Sequence, residues 1–281
     1  MKIVYRSTRF DYDEEKKLGT ILTLANGRIG VRGEIELVPI DTCTLVSGIY
    51  SDVPVFHRDI VCLPRVTSLY ILLDGEPLDL NSGSFKLERV LDIRCGVVRA
   101  RLVWCGGRSI VYESIRLVHR RRKNLVVLHS RIKPTGFHGS ITVLSPIEFT
   151  ASNPLPPDNI SVRHYRVKKV GVENGVIVVE LETLDGRYGI TMALKNKVNT
   201  PHEAHIVRNT YGVGEAVTFK VVEGGVYEVT KYISISSTRD GQDHRERAIS
   251  ALDNAVQSGW TRVYEEHASS WREVWDRLGF Y

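Results

Sequence analysis

Residues 97–119 read VVRARLVWC, then GG, then RSIVYESIRLVH, and this stretch decides the fold class. Val98, Ala100 and Leu102 alternate with Arg99 and Arg101, so apolar side chains point one way and guanidinium groups the other. A period of two over a run rich in Val, Ile and Tyr is the signature of a half-buried antiparallel strand. Gly106-Gly107 between two such runs tolerates the positive φ of a tight hairpin turn. The same grammar recurs outward in both directions. Asn26-Gly27 separates Thr20–Ala25 from Arg28–Leu37, Asp74-Gly75 follows Ser68–Leu73, and Asn174-Gly175 separates Arg163–Glu173 from Val176–Leu184. Asp185-Gly186 comes next, and Gly224-Gly225 divides Ala216–Glu223 from Val226–Ser237. Hairpins at this density imply well over ten strands, and one open sheet of that size curls or splits into two packed layers. The expected fold is therefore mainly β, a large antiparallel β super-sandwich over residues 1–238. The stretch Ser145 to Ile160 interrupts the rhythm with Pro146, Pro154, Pro156 and Pro157 and reads as a long loop.

After Ser237 the period changes to that of a helix, so residues 239–281 are expected to form two C-terminal linker helices. Ala248, Ile249, Leu252, Ala255 and Val256 share one face of a first helix, which Asp243 or a near neighbour caps and Ser258-Gly259 ends. A second stripe follows at Trp260, Val263, Tyr264, His267, Trp271, Val274, Trp275 and Leu278. Three buried tryptophans here would contribute roughly 15 kcal/mol gross at about 25 cal/mol per Å2, before ordering costs. Such a stripe is expected to be covered, either by the chain's own sandwich or by a partner. Trp260, Tyr264, His267, Trp271 and Trp275 are the candidate interface residues.

The 281 residues carry 38 Lys plus Arg against 33 Asp plus Glu, a mild net charge of +5. Arg120-Arg121-Arg122-Lys123 is the one dense basic cluster. It lacks adjacent stacking aromatics or a reading helix, so it is expected to be a solvated turn and not a nucleic-acid site. No apolar run reaches the roughly 20 residues of a membrane span, and Met1–Arg6 runs into the charged Asp11 to Lys17 without an apolar leader. A cytoplasmic protein without membrane attachment is the expectation. Cys43, Cys62, Cys95 and Cys105 lie far apart and are expected to be reduced. The two Met and two Gln are few, as in heat-adapted proteins, in which an internal disulfide is a standing alternative.

Sequence motifs give catalysis no home. The carboxylates Asp11, Asp13, Glu14 and Glu15 read as a solvated run, and Glu180 and Glu182 as an exposed strand face, so neither forms the facing pair that glycoside cleavage needs. No Gly-x-Ser-x-Gly elbow, P-loop or dinucleotide fingerprint is present, and Asn81-Ser82-Gly83-Ser84 is only a turn. The nine histidines are scattered; His202 and His205 are close but sit in a loop pattern. No catalytic residue, cofactor site or metal site is therefore assigned.

Five segments carry a family resemblance. Leu24-Ala25-Asn26-Gly27-Arg28-Ile29-Gly30-Val31-Arg32-Gly33 resembles the LGNGxxGxRG opening of glycoside hydrolase family 65. Ser47–Tyr50 resembles its AGxY segment, and Cys62-Leu63-Pro64 with Leu73–Glu76 its NLP…IDGE stretch. Ser237–Asp240 resembles its TSRD, and His267–Trp275 its HxxxWxxxW. Ala25 departs from the family's glycine, which puts a positive φ there in doubt. The resemblance implies an N-terminal super-sandwich and helical linker, followed in the family by an (α/α)6 barrel that holds the catalytic Glu. Family chemistry is acid-assisted, inverting cleavage of an α-glucosidic bond by phosphate or water. No family catalytic residue falls within these 281 residues, so the chain is expected to be inactive alone. The implied role is a non-catalytic N-terminal portion or subunit, scaffolding a separately encoded barrel subunit that acts on α-glucoside sugars. The alternative is a free-standing carbohydrate-binding or oligomerisation module, with the stripe satisfied in the chain or across a homodimer.

Overall fold

The structure is a computed structural model that describes residues 4–8, 10–54, 58–81, 84–155 and 160–279. Met1, Ser82-Gly83 and Pro156-Pro157, which figure in the sequence reading, lie outside the described residues. The molecule is mainly β and antiparallel, as the hairpin grammar demands. A nine-stranded sheet runs, in spatial order, Val4–Ser7, Ser84–Asp92, Val97–Cys105, Ile110–Val118, Leu125–Pro134, Tyr227–Ser237, Gly189–Val198, Val176–Thr183 and Tyr165–Glu173. A five-stranded sheet (Glu203–Asn209, Gly212–Val221, Gly139–Glu148, Tyr70–Leu73, Glu76–Pro77) faces it, with three small sheets at the margins. Two turn pairs adopt positive φ at both residues, Asp74-Gly75 at 50° and 85° and Asn174-Gly175 at 52° and 73°, whereas Gly106-Gly107 joins its strands with positive φ at neither glycine.

Successive residues of the large sheet enter different cores. Val98, Val126, Ile177 and Val179 join the core between the sheets, while Val97, Leu125, Val127, Val176 and Val178 form a second layer on the opposite face. That outer layer is covered by the C-terminal helix α2 (His244–Leu278) through Ala248, Leu252, Ala255 and Val263. Strands clad on both faces explain continuous apolar runs such as Leu125–Leu128.

Four expectations are corrected. The charged run is solvated at Asp11, Asp13 and Glu14 but not at Glu15, and it is helical: Asp11 accepts from the Asp13 and Glu14 N–H groups and caps the helix α1 (Tyr12–Ile21), which also takes Thr20 out of the expected strand. Glu15 is fully buried against Arg89, 2.6 Å away. Residues 32–37, read as the continuation of a strand, form with residues 38–40 an irregular segment in the interior. Ile35, Leu37, Val38 and Ile40 pack in one core cluster while Val31 belongs to the other. A buried irregular backbone needs partners for its carbonyls, and two arginines supply them. Arg116 donates to Arg32 O (2.9 Å) and Glu34 O (2.8 Å), and Arg65 to Ile35 O (3.0 Å), Val38 O (2.9 Å) and Ile40 O (3.3 Å). Glu36 balances Arg116 at 2.6 Å; burial pushes its carboxyl pKa up, but Arg116 and the Ser114 and Tyr112 hydroxyls outweigh that and hold it low.

The third correction concerns the proline stretch. Pro146 lies inside the strand Gly139–Glu148, opposite Gly214, whose missing Cβ leaves room for it, and only short strands Asn153–Leu155 and Ile160–Val162 follow. The fourth is the cysteine state. Cys43 and Cys62 form a disulfide with Cα atoms 5.1 Å apart, beside the Thr44–Leu63 bridge, while Cys95 and Cys105 are free.

Candidate partner interface at the junction of sandwich and helix

α2 begins after Asp243, which makes no side-chain cap and pairs instead with Arg247 at 2.7 Å. At Gly259 (φ 75°, ψ 162°) the backbone leaves helical space, so α2 has a proximal half, residues 244–258, and a distal half, residues 260–278. The break falls where Ser258-Gly259 was expected to end a helix.

The structure brings all five candidate interface residues to the distal half and places each against the sandwich. Trp260 stacks on His129, with centroids 4.5 Å apart. The Tyr264 hydroxyl accepts from Arg99 at 2.6 Å. His267 is fully buried and meets Gly96 O at 3.0 Å. Trp271 lies over Gly96, where a Cβ would collide with the indole, and its ring is covered by the Arg120 guanidinium. Its Nε1 is shielded from solvent with no partner among the described residues. Trp275 Nε1 donates to Ile93 O at 3.2 Å. The four aromatic rings remain half-buried, and Leu278 beyond them is 58% exposed.

Two turns grip the distal half. One is the hairpin at residues 93–96. The other is Arg120-Arg121-Arg122-Lys123, a turn between strands as expected, exposed at Arg121 and Lys123, but one that also serves as a clamp. Arg121 Nη2 donates to both carboxylate oxygens of Glu273 (2.6 and 2.7 Å), and Arg122 reaches Glu266 (2.8 Å) and Ser258 Oγ (3.1 Å). Arg122 thereby spans the break at Gly259. His119, ahead of this turn, accepts the N–H groups of Arg121 and Arg122 at Nδ1 (3.2 and 2.9 Å), so its Nε2–H donates to Val263 O (3.2 Å). His267 repeats the pattern: Nδ1 accepts the Arg120 N–H (3.2 Å) and Nε2–H faces Gly96 O. Burial, helped by neighbouring charge, holds both imidazoles neutral with pKa of about 4.

The clamp is anchored in turn by the residues that carry the family resemblance. Asn26 donates to His119 O (2.9 Å) and Lys123 O (3.0 Å) and accepts the N–H groups of Arg28 and Ile29. Lys123 returns a bond to Asn26 O at 2.8 Å. Arg28 pairs with Asp240, and Arg239 donates to Gly48 O (3.0 Å), closing the path from sheet to helix. Sequence reasoning missed Asn26, His119 and Gly96 as parts of this site. Asn26 was signalled by its motif; the other two carried no local signal.

Beyond α2 the outer sheet face is polar. Glu88, Arg101, Glu113, Arg131 and Glu228 stand directly opposite one another on five neighbouring strands, an alternating charge ladder. Arg101 and Arg131 lie 3.4 and 3.8 Å from Glu113. Between ladder and helix is a trough of about 380 Å3, lined by Arg6, Glu88, Arg99, Ile115, His129 and Arg131. Glu180 and Glu182 are half-buried in ion pairs with Arg245 and with Arg166 and Lys168. Among the described residues no cluster of three His, Cys, Asp or Glu side chains could hold a metal ion, and no helix is long and apolar enough to cross a membrane.

Comparison with known proteins gives a consistent result. The family model described as glycosyl hydrolase family 65, N-terminal domain, matches residues 5–274. An α,α-trehalose phosphorylase of Thermoanaerobacter brockii is 25% identical over 97% of this chain and 39% of its own length. A nigerose phosphorylase of Lachnoclostridium phytofermentans is 22% identical over 96% of this chain and 38% of its own. A solved structure of a human-microbiome protein that carries the name of a kojibiose phosphorylase superimposes with a TM-score of 0.80 at 16% identity, over 97% of this chain and 38% of that one. The chain thus spans about two fifths of the length of these relatives.

Proposed function

We propose, from the premise that this chain belongs to the glycosyl hydrolase family 65 N-terminal domain family, that it is the non-catalytic N-terminal portion or subunit of an α-glucoside phosphorylase or hydrolase. Residues 1–238 serve as the sandwich and residues 239–281 as the linker that presents a catalytic (α/α)6 barrel. The observation that carries this reading is the coverage: nearly the whole chain aligns with 38–39% of the length of each relative. The junction favours it too. Asn26, the arginine turn and Gly96 hold α2 along the sandwich and so set where its end is presented, as a scaffold for a second body requires.

Trp260, Tyr264, His267, Trp271 and Trp275 have their inward edges committed to the sandwich. The surface that remains for a partner is the outer, half-exposed side of the four aromatic rings, continued by Leu278, while His267 is fully buried beneath them. A cytoplasmic setting belongs to the same reading, in a cytosol where the Cys43–Cys62 disulfide persists, as in hyperthermophiles. The test is native purification of the chain with whatever polypeptide accompanies it. Phosphate-dependent glucose 1-phosphate release is then assayed on trehalose, nigerose, kojibiose and maltose. Turnover is expected only when a barrel-bearing polypeptide is present; turnover by residues 1–281 alone would overturn the reading.

The trough favours a second reading, a carbohydrate-binding or oligomerisation module, because arginine and carboxylate side chains flank an apolar floor there. Calorimetry with maltose, trehalose and longer α-glucans decides it. Heat at millimolar ligand, lost in Arg99→Ala, supports this reading, and no heat removes its sugar-binding form.

A further inference from the structure

We propose that the distal half of α2, residues 260–278, is an arm that leaves the sandwich when His119 and His267 take up protons, with Gly259 as its hinge. The inference is independent of any catalytic partner. It starts from how the two imidazoles are used. At each one Nδ1 accepts backbone N–H, which only the neutral ring can do, while Nε2–H donates to a carbonyl that would serve the imidazolium as well and so partly offsets the burial. A proton added at Nδ1 sets N–H against N–H, at Arg121 and Arg122 for His119 and at Arg120 for His267. The two rings lie 5.5 Å apart, so two imidazolium charges would also repel each other in a buried site.

The surrounding charges offer little relief. Arg122 faces His119 and Arg120 faces His267, both cations. Glu266 lies 3.6 Å from His119 Nε2 but is already bound by Arg122, whose hydrogen bond holds its carboxyl low and ionised. Arg121 and Glu273 neutralise each other at the rim. Cys95 on the hairpin turn has its thiol pKa raised by burial and then by Asp92, and stays uncharged. A third imidazole, His129, sits under Trp260 beside the hinge, held at about 4 by burial and then by Arg131.

The sign follows from linkage. A histidine in a freed arm or turn titrates near 6.5, and the docked form near 4. Docking is therefore strongest above about pH 6.5, weakens as pH falls, and its histidine-dependent part is gone below about 4. The hinge is already built: Gly259 has a φ/ψ pair essentially reserved for glycine, so the distal half can pivot without unwinding the proximal half.

The experiment uses the full chain, with hydrogen exchange read by mass spectrometry between pH 7.5 and 4 and corrected for intrinsic rates. Residues 260–278 are expected to exchange at least tenfold faster at pH 4.5 than at 7.5, while the strands and residues 244–258 keep their protection. The fluorescence of Trp260, Trp271 and Trp275 should shift red over the same interval. In a His119→Asn/His267→Gln double variant the arm should stay protected at pH 4.5. An arm that stays protected in the unmodified chain at pH 4.5 overturns the proposal. So does an arm that opens only together with the strands, or a double variant that releases at the unmodified pH. If the double variant is already open at pH 7.5, imidazole NMR of the unmodified chain decides. Titration of His119 and His267 in step with arm exchange supports the proposal, and titration near 6.5 with the arm still protected overturns it.

Discussion

The two halves of α2 lie end to end on one sheet, yet they are held by different physics. The proximal half places Ala248, Leu252 and Ala255, all fully buried, on an apolar floor of Leu125, Val178, Ala193 and Tyr232. Past Gly259, Val263 continues the apolar contact, but directional contacts are added: imidazole to carbonyl, guanidinium to carboxylate, indole N–H to the Ile93 carbonyl. Apolar burial does not titrate, whereas the distal contacts depend on charge state and on two turns keeping their shape. One helix thus carries a permanent attachment and a conditional one.

Leu252→Ala tests the permanent half and should have the largest effect. It opens a cavity at a fully buried site and is expected to cost about 3 kcal/mol of global stability, read by urea denaturation. An effect below 1 kcal/mol would mean that the proximal half is not part of the cooperative core. Gly96→Ala attacks the conditional half. It forces φ of 63° on a residue with a Cβ and drives that Cβ into the Trp271 ring. A loss of about 2 kcal/mol is expected in the docking of residues 260–278, seen as tryptophan exposure without a change in the β-sheet circular dichroism. Gly259→Ala sharpens the boundary itself. Strain at that φ/ψ of about 1–2 kcal/mol should favour a straight helix and lift the distal half, so protease sensitivity should rise after residue 259 and nowhere before it. Arg121→Gln is the mildest. Its pair with Glu273 is exposed on both sides, and about 0.5 kcal/mol is expected, vanishing in 1 M salt.

The sheets could be read from the sequence because Asn174-Gly175 and Asp74-Gly75 announce their own turn geometry and the runs between such pairs alternate. α1 could not be read by period, since Tyr12–Ile21 buries only Glu15, Leu18 and Gly19 and so shows no apolar stripe. Residues 32–37 misled for a different reason. Glu34, Ile35, Glu36 and Leu37 alternate as a strand does, but all four are buried, and arginines from distant strands take the place of a ladder. The same limit applies to the site. The stripe from Trp260 to Trp275 was visible, as was the break at Gly259. What the stripe touches was not, because Arg121 and Glu273 stand 152 positions apart and nothing local pairs them. A dense basic tetrapeptide read by composition alone becomes a solvated turn; read with its acidic partners it becomes a clasp.

The interior path of residues 32–40 has a consequence for assembly. A strand at a sheet edge can be added last, but a cord running through the middle of a closed box cannot. Arg65 and Arg116 each grip it from a different strand region, so residues 32–40 must lie between the layers before either guanidinium finds its carbonyl partners. Synthesis delivers that cord first, before the walls that enclose it. A circularly permuted chain that delivers it last should shut on an empty slot, with two guanidinium groups stranded in oil.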